Sequence, residues 1–347
     1  MTIIIAILGL SFLIAIHEAG HMLAAKSMGV HVKEYAIGFG RPVLQKKFGK
    51  TVYSLRWILF GGFVKMRGMD DEEEGPDAYN SKAPWRRAFI IFAGPAVNIV
   101  AAVLIAFVVF AITPISGDPE PEVAAVVPGS LAEEVGLQEG DQLVSVNGES
   151  TPEWDQFQAV VSDQRPGDEV TFAIERSGEQ EEYSGALTAA PGDPDRPLVG
   201  IQPVIERDLI AAFTQAVQFN VEIVTTLAWF IGQVVTGELS FQENVAGPVG
   251  IVSVTGQSVD QGFFFLFLAF ISLQLGILNL LPILPFDGGH LLFIGAEKLR
   301  GRPIGRETLG KISLLGIVLL LVFVVFVTVG DVGNLISGEP IIPEEPR

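Results

Sequence analysis

The chain has no cysteine. Disulfides and thiolate metal sites are therefore impossible, and cysteine usage gives no reading of the redox compartment. Histidine is scarce, four in 347 residues. Positive charge is nearly missing from residues 113–210. That stretch holds only Arg165, Arg176, Arg196 and Arg207 against 21 Asp and Glu, a net of −17. No basic patch with interleaved aromatics occurs, which leaves nucleic-acid binding without support. No repeat of solenoid period occurs either. The chain also lacks the polarity of a soluble surface: 49% of its residues are hydrophobic and its mean hydropathy is +0.45.

What it has instead are apolar runs long enough to cross a bilayer, about 20 residues each. Four stand out, 2–25, 88–112, 263–285 and 312–332. The first has no basic region before it and carries polar residues where a signal peptide is apolar, so it reads as a span. Lys and Arg concentrate in two places. Residues 26–87 hold 12 of the 22, and 297–311 hold five: Lys298, Arg300, Arg302, Arg306 and Lys311. The positive-inside rule puts both stretches in the cytoplasm, and the acidic 113–210 and both termini outside. A fifth stretch, 209–236, is apolar but carries Gln215, Gln218, Asn220, Glu222 and Gln233. A fifth span would place 297–311 outside, so 209–236 is expected to lie along the outer interface.

Between the spans, "VHVKEYAIGFG" (30–40), "PVLQKKF" (42–48), "KTVYSLRWI" (50–58) and "GGFVKM" (61–66) are β-rich and separated by glycines. They predict a small sheet or pair of hairpins. Residues 122–190 predict a soluble α+β or barrel-like module. It has short helices at "SLAEEVG" and "WDQFQAVV", a hairpin turn at "VNGE", and two strands around "SGEQ".

The first run contains "AIHEAGHMLAA", residues 15–25. His17 and His21, at i and i+4, share one helix face. Two imidazoles so spaced can bind one Zn²⁺, and Glu18 beside them can take a proton from the water that ion activates. Ionisable groups inside a span are costly and default to function. Helical rise puts His17 about 22 Å into a core of about 30 Å, toward the cytoplasmic side. A catalytic zinc needs a third protein ligand. Near that depth the run 263–285 is broken by Pro282 and Pro285, and Asp287 follows. His290 is a rival and His31 lies in a cytoplasmic loop. Asp287 is preferred, because the helix break and Gly288-Gly289 let it turn inward.

The chain resembles the site-2 proteases, the bacterial membrane-embedded zinc metalloproteases with a PDZ domain. HEAGH matches their HExxH, and "NLLPILPFDGG" (279–289) their NxxPxxxxDG. "GFG" (38–40) and "GGFVKM" match their membrane-reentrant β-loop. "AGPAVN" (93–98) and "GPVGI" (247–251) are further landmarks, and "GLQEGDQLVSVNGE" (136–149) resembles a PDZ core. The resemblance implies a helical polytopic membrane protein with four transmembrane helices, a cytoplasmic-side reentrant β-loop and one inserted extracytoplasmic PDZ domain. It implies one Zn²⁺ per chain on His17, His21 and Asp287, with Glu18 as general base.

Asn279 matches the asparagine that helps hold substrate, while Gln274 stands where asparagine is frequent. The implied substrates are single-pass membrane proteins in the bilayer, already cut once, such as anti-sigma factors or remnant signal peptides. The PDZ domain would then filter by size, although capture of a substrate tail is the other reading. An intact transmembrane helix bonds its own backbone. It must be unwound before hydrolysis, and strand addition to Gly61, Gly62, Phe63 and Val64 would do this. Two rivals fit less well. A non-catalytic PDZ adaptor would need a broken HExxH, and a metal transporter would need ionisable residues in 88–112 and 312–332.

Overall fold

The computed structural model describes residues 2–69, 73–113, 119–190, 192–205, 208–239, 247–302 and 304–337. They fall into two compact units, Met1–Ala106 with Ala216–Arg347, and Phe107–Gln215.

The first unit is built on helices. α1 (Thr2–Ser27) and α2 (Pro84–Ile112) are apolar around most of their circumference, and Leu8, Leu104 and other large side chains stay exposed. Such helices are stable only with lipid as solvent. They cross closely: a Cβ on Gly20 would sit 2.5 Å from the Ala93 carbonyl oxygen, so only glycine admits the contact.

Between α1 and α2 run two long strands, β1 (Val32–Phe48) and β2 (Thr51–Met66). β1 pairs with β2 twice: Ala36 faces Ser54 on one side and Phe63 on the other. The four β-rich segments of the sequence thus become one antiparallel sheet, with 62–66 as an edge. The sheet runs along α1. Tyr35 donates to the Ala15 carbonyl at 2.8 Å, and Ser11 donates to the Leu59 carbonyl at 2.7 Å.

α5 (Leu209–Thr236), α6 (Pro248–Asp260), α7 (Phe264–Asn279), α8 (Asp287–Arg300) and α9 (Arg306–Ser337) complete the helices. Among the described residues four helices are long and apolar enough to cross a membrane: Ile4–Ser27, Pro84–Ile112, Leu209–Thr236 and Glu307–Gly333. The set differs from the sequence expectation. The run 263–285 is not one helix, because α7 ends after 16 residues at Asn279. Pro282 and Pro285 cannot donate to a helical ladder, and α8 restarts at Asp287. Gly316 of α9 packs directly on the Leu284 carbonyl, bracing that break. The stretch expected at the interface, 209–236, has a span's length and composition.

The second unit carries a sheet in the order β10-β3-β4-β6-β7. Its strands are β3 (Pro119–Val126), β4 (Gln142–Val146), β6 (Glu169–Arg176), β7 (Glu179–Ala186) and β10 (Ile201–Ile205). β5 (Glu149–Ser150) pairs with β4, and β8 (Thr188–Ala190) with β9 (Asp193–Leu198). The expected helices are α3 (Leu131–Val135) and α4 (Trp154–Ser162). Both expected hairpins form. Asn147-Gly148 and Ser177-Gly178 take positive φ, the conformation two-residue hairpin turns demand.

Val123, Leu131, Phe157, Val170, Phe172, Ile174 and Val199 fill the core. The module thus runs past residue 190, since β10 pairs with β3. Asp141, 1% exposed, is held by two Arg176 hydrogen bonds of 2.7 and 2.6 Å. Burial would raise its pKa, but Arg176 outweighs this and holds it below the usual range. The pair's stabilisation is therefore present above the usual Asp pKa and lost as pH falls through the lowered one.

One buried carboxylate ties the first unit together. Asp331 of α9, 3% exposed, accepts from the backbone N–H of Gly247 at 3.0 Å and of Gly250 at 2.8 Å. It thereby caps α6, which has no side-chain cap of its own. Removing it leaves buried N–H donors unpaired, at about 1–3 kcal/mol. Asp331→Ala is expected to lower thermal stability by that order, read as a drop in Tm of the detergent-solubilised chain. An unchanged Tm would contradict the capping role.

Candidate metal centre

His17 and His21 project from one face of α1, as their spacing requires. Asp287 is the first residue of α8. Gly288 and Gly289 make its approach possible, since a Cβ on Gly289 would fall 2.6 Å from the Leu284 nitrogen and one on Gly288 closer still to the Leu280 carbonyl. Asp287 Oδ2 lies 3.1 Å from His17 Nε2 and 3.2 Å from His21 Nε2, and the two nitrogens are 3.2 Å apart. Both histidines are 7% exposed.

Three electron-rich atoms this close need a proton or a metal ion among them. Tetrahedral coordination with bonds of about 2.0–2.1 Å has edges of about 3.3 Å. The triangle of donors therefore has the size a zinc-like ion needs. His21 Nδ1 lies 2.9 Å from the Ile90 carbonyl. Donating there fixes the tautomer that leaves Nε2 as a ligand. Pro95, inside α2, removes a donor from the helical ladder just beyond that carbonyl. His17 Nδ1 is buried without a hydrogen-bond partner among the described residues.

Glu18 is within electrostatic reach of all three donors and lies near the Val64 backbone N–H of the edge strand. Gly62 lies against it: a Cβ there would be 3.2 Å from Glu18 Cγ. Gly61, at φ +126°, leaves no room beside the Phe39 ring, and Phe63 stacks on Phe39 at 6.5 Å.

His17, Glu18, His21 and Asp287 thus come together, with 62–64 beside them. Asn279 ends α7 and donates from Nδ2 to the Leu275 carbonyl at 2.9 Å. His290 does not join the cluster, whose members among the described residues are His17, His21 and Asp287. His31 lies by Asp77 at 3.7 Å, in the loop region.

The model of peptidase family M50 matches residues 5–323. The chain belongs to this family. It is 33% identical to a Clostridium acetobutylicum protein provisionally named a zinc metalloprotease, over 95% of this chain and 97% of that protein. Zinc metalloprotease RasP of Oceanobacillus iheyensis is 29% identical, over 96% and 99%. Regulator of sigma-W protease RasP of Bacillus subtilis is 27% identical, also over 96% and 99%. Among solved structures, the PDZ domain of an SdrC-like protein from Listeria monocytogenes aligns at 22% identity and a TM-score of 0.22, covering 26% of this chain and 88% of that domain.

As an M50 peptidase the chain is a multi-pass membrane metalloprotease, and buried His17 and His21 with half-buried Asp287 form a cluster that could hold a metal ion. The sequence reading missed Gly94, within "AGPAVN". A Cβ there would be 2.9 Å from His17 Cε1 and nearer still to His21 Nε2. The motif marked the place, but only the helix crossing shows that this glycine gives the imidazoles their room.

Two outcomes follow for metal content, measured by elemental analysis of the purified chain. Asp287→Asn is expected to lose most of its metal and His290→Ala to keep it; the reverse would reassign the third ligand. Gly94→Ala, one added methyl, is expected to cost as much metal as removal of a ligand. Full metal content in that variant would show that the crossing has more slack than the structure gives it.

Proposed function

We propose that this chain hydrolyses peptide bonds inside transmembrane segments of single-pass membrane proteins, using one Zn²⁺ on His17, His21 and Asp287 with Glu18 as general base. The observation that carries the reading is the convergence of the three donors next to an open strand edge. Two imidazoles and a carboxylate, with no sulfur, are a donor set of catalytic zinc, which leaves one coordination position open. Bound there, the ion supplies Lewis-acid polarisation of the scissile carbonyl. Glu18 takes a proton from the attacking water and returns it to the departing amine nitrogen. The water oxygen ends in the new carboxylate.

The substrate must present an extended backbone. Among the described residues no strand pairs with the outer edge of 62–66, so Gly61, Gly62, Phe63 and Val64 can receive it by strand addition. Gly62, packed against Glu18, supports a substrate edge beside the reacting group. Asn279 keeps its amide oxygen for a substrate N–H, its Nδ2 being engaged with Leu275. The sheet reaches the depth of Ser11, seven residues outward of Glu18 on α1, and exposes Leu44, Phe48 and Trp57. These features suit a loop that re-enters the membrane from the cytoplasmic side.

The Lys and Arg distribution supports a cytoplasmic-membrane topology with both termini and the acidic module outside and the metal toward the cytoplasm. Gly247 sits at Asp331, near the outer end of α9, which favours an α5 that does not cross. We read residues 122–190, continued by β10, as a PDZ domain that excludes substrates still carrying bulky outer domains. The name of the Bacillus subtilis relative, regulator of sigma-W protease, makes anti-sigma factors a fitting substrate class, alongside remnant signal peptides.

Glu18→Gln keeps the shape of the side chain but not its proton acceptor. Metal content should stay at the wild-type level. Cleavage of a model transmembrane peptide should fall at least about 10²-fold. Cleavage near the wild-type rate would remove Glu18 from the reaction.

A further inference from the structure

The first unit has a cavity whose lining includes His290 but none of His17, His21 and Asp287. It has a volume of about 1010 Å³ and lies between the start of α2, the exposed half of α8 and the first turns of α9. That is the upper end of the size range for small-molecule sites. Its lining has two zones. Phe293, Ile294 and Leu309 form an apolar wall, Ile294 buried and the other two half-buried, while Lys298 and Arg302 are exposed.

The charges in it do not cancel. Glu297 is committed: one oxygen pairs with Arg87 at 2.8 Å and the other accepts the Ile304 N–H at 3.1 Å. Lys298 and Arg302 have no carboxylate partner among the described residues. The cavity therefore carries net positive charge in a chain of net charge −18.

Its level in the membrane is set by its neighbours. The apolar run of α9 begins at Ile312, just beyond Gly310 in the cavity wall, and Trp85, 60% exposed, stands beside Pro84. Tryptophan marks the headgroup layer, and the Lys/Arg-rich side is the one that faces anionic lipid. An occupant must be anionic at one end, apolar at the other, and present at that layer. We propose that this cavity binds an anionic glycerophospholipid, with its phosphate on Lys298 and Arg302 and an acyl chain along Phe293, Ile294 and Leu309. A zwitterionic headgroup would bring its own ammonium against the two cations.

The test uses the full chain in nanodiscs of equal phosphatidylglycerol and phosphatidylcholine, with co-purifying lipid counted by native mass spectrometry. Wild type should retain phosphatidylglycerol in preference. Lys298→Gln/Arg302→Gln should lower that retention at least about tenfold, the size expected for two headgroup contacts. Lys46→Gln/Lys47→Gln, an equal loss of exposed charge on β1, should not. Gly310→Leu should also expel the lipid, because a Cβ there meets nothing within 4 Å and the side chain can occupy the cavity.

Equal retention of both lipids by wild type, or unchanged retention in either cavity variant, would overturn the proposal. So would inhibition by inorganic phosphate of a site that Gly310→Leu leaves intact, which would mark a free-phosphate site. The readout is lipid, not turnover, so it stands or falls apart from the proposed reaction.

Discussion

Three donor atoms with lone pairs, each about 3 Å from the other two, sit inside a layer that disfavours polar groups. Everything else near the centre of this protein serves to make that arrangement possible. α1 supplies two of the atoms by helical spacing alone. The third comes from a residue 266 positions later than His21, so its approach depends on packing. The packing is done by glycines at backbone contacts: Gly20 and Gly94 let α1 and α2 close on each other, Gly288 and Gly289 let the break fold under itself, and Gly316 lets α9 brace that break. An added methyl would push backbone at Gly20, Gly288, Gly289 and Gly316, and the liganding imidazoles themselves at Gly94.

The same constraint explains why apolar helices are interrupted where they are. A continuous helix through 263–285 would carry Asp287 past the histidines. Ending α7 at Asn279 and restarting at Asp287 instead puts a carboxylate at a helix start, where the dipole favours negative charge. The sheet of β1 and β2 runs along α1 and brings Gly62 against Glu18. The donor cluster and the edge strand therefore share one helix as their reference, through hydrogen bonds at Ser11 and Ala15 and the contact of Gly62 with Glu18.

Much of this was legible in the sequence, for identifiable reasons. His17 and His21 were readable because a single helix fixes their spacing, and Asp287 because its prolines and glycines announced a break at the right depth. The hairpins of the outer module were readable because Asn-Gly and Ser-Gly turns are local. What escaped depended on contacts distant in sequence. Gly94 matters only because α1 passes over it. Asp331 reads as one acid near the end of an apolar helix until Gly247 and Gly250 are seen to meet it. β10 lies beyond an acidic, proline-bearing stretch and joins the sheet only by pairing with β3. The 209–236 helix was placed at the interface by the Lys/Arg distribution around it, yet it has a span's length and composition.

The measurement that bears most directly on the central claim is X-ray absorption at the zinc edge, on the same purified sample that cleaves a transmembrane peptide. The account predicts one zinc per chain, four-coordinate, with two imidazole nitrogens and one carboxylate oxygen at about 2.0–2.2 Å. Its spectrum should lose one imidazole when either His17 or His21 is replaced by alanine. An active sample without zinc, or zinc in an all-oxygen shell indifferent to both histidines, would contradict it.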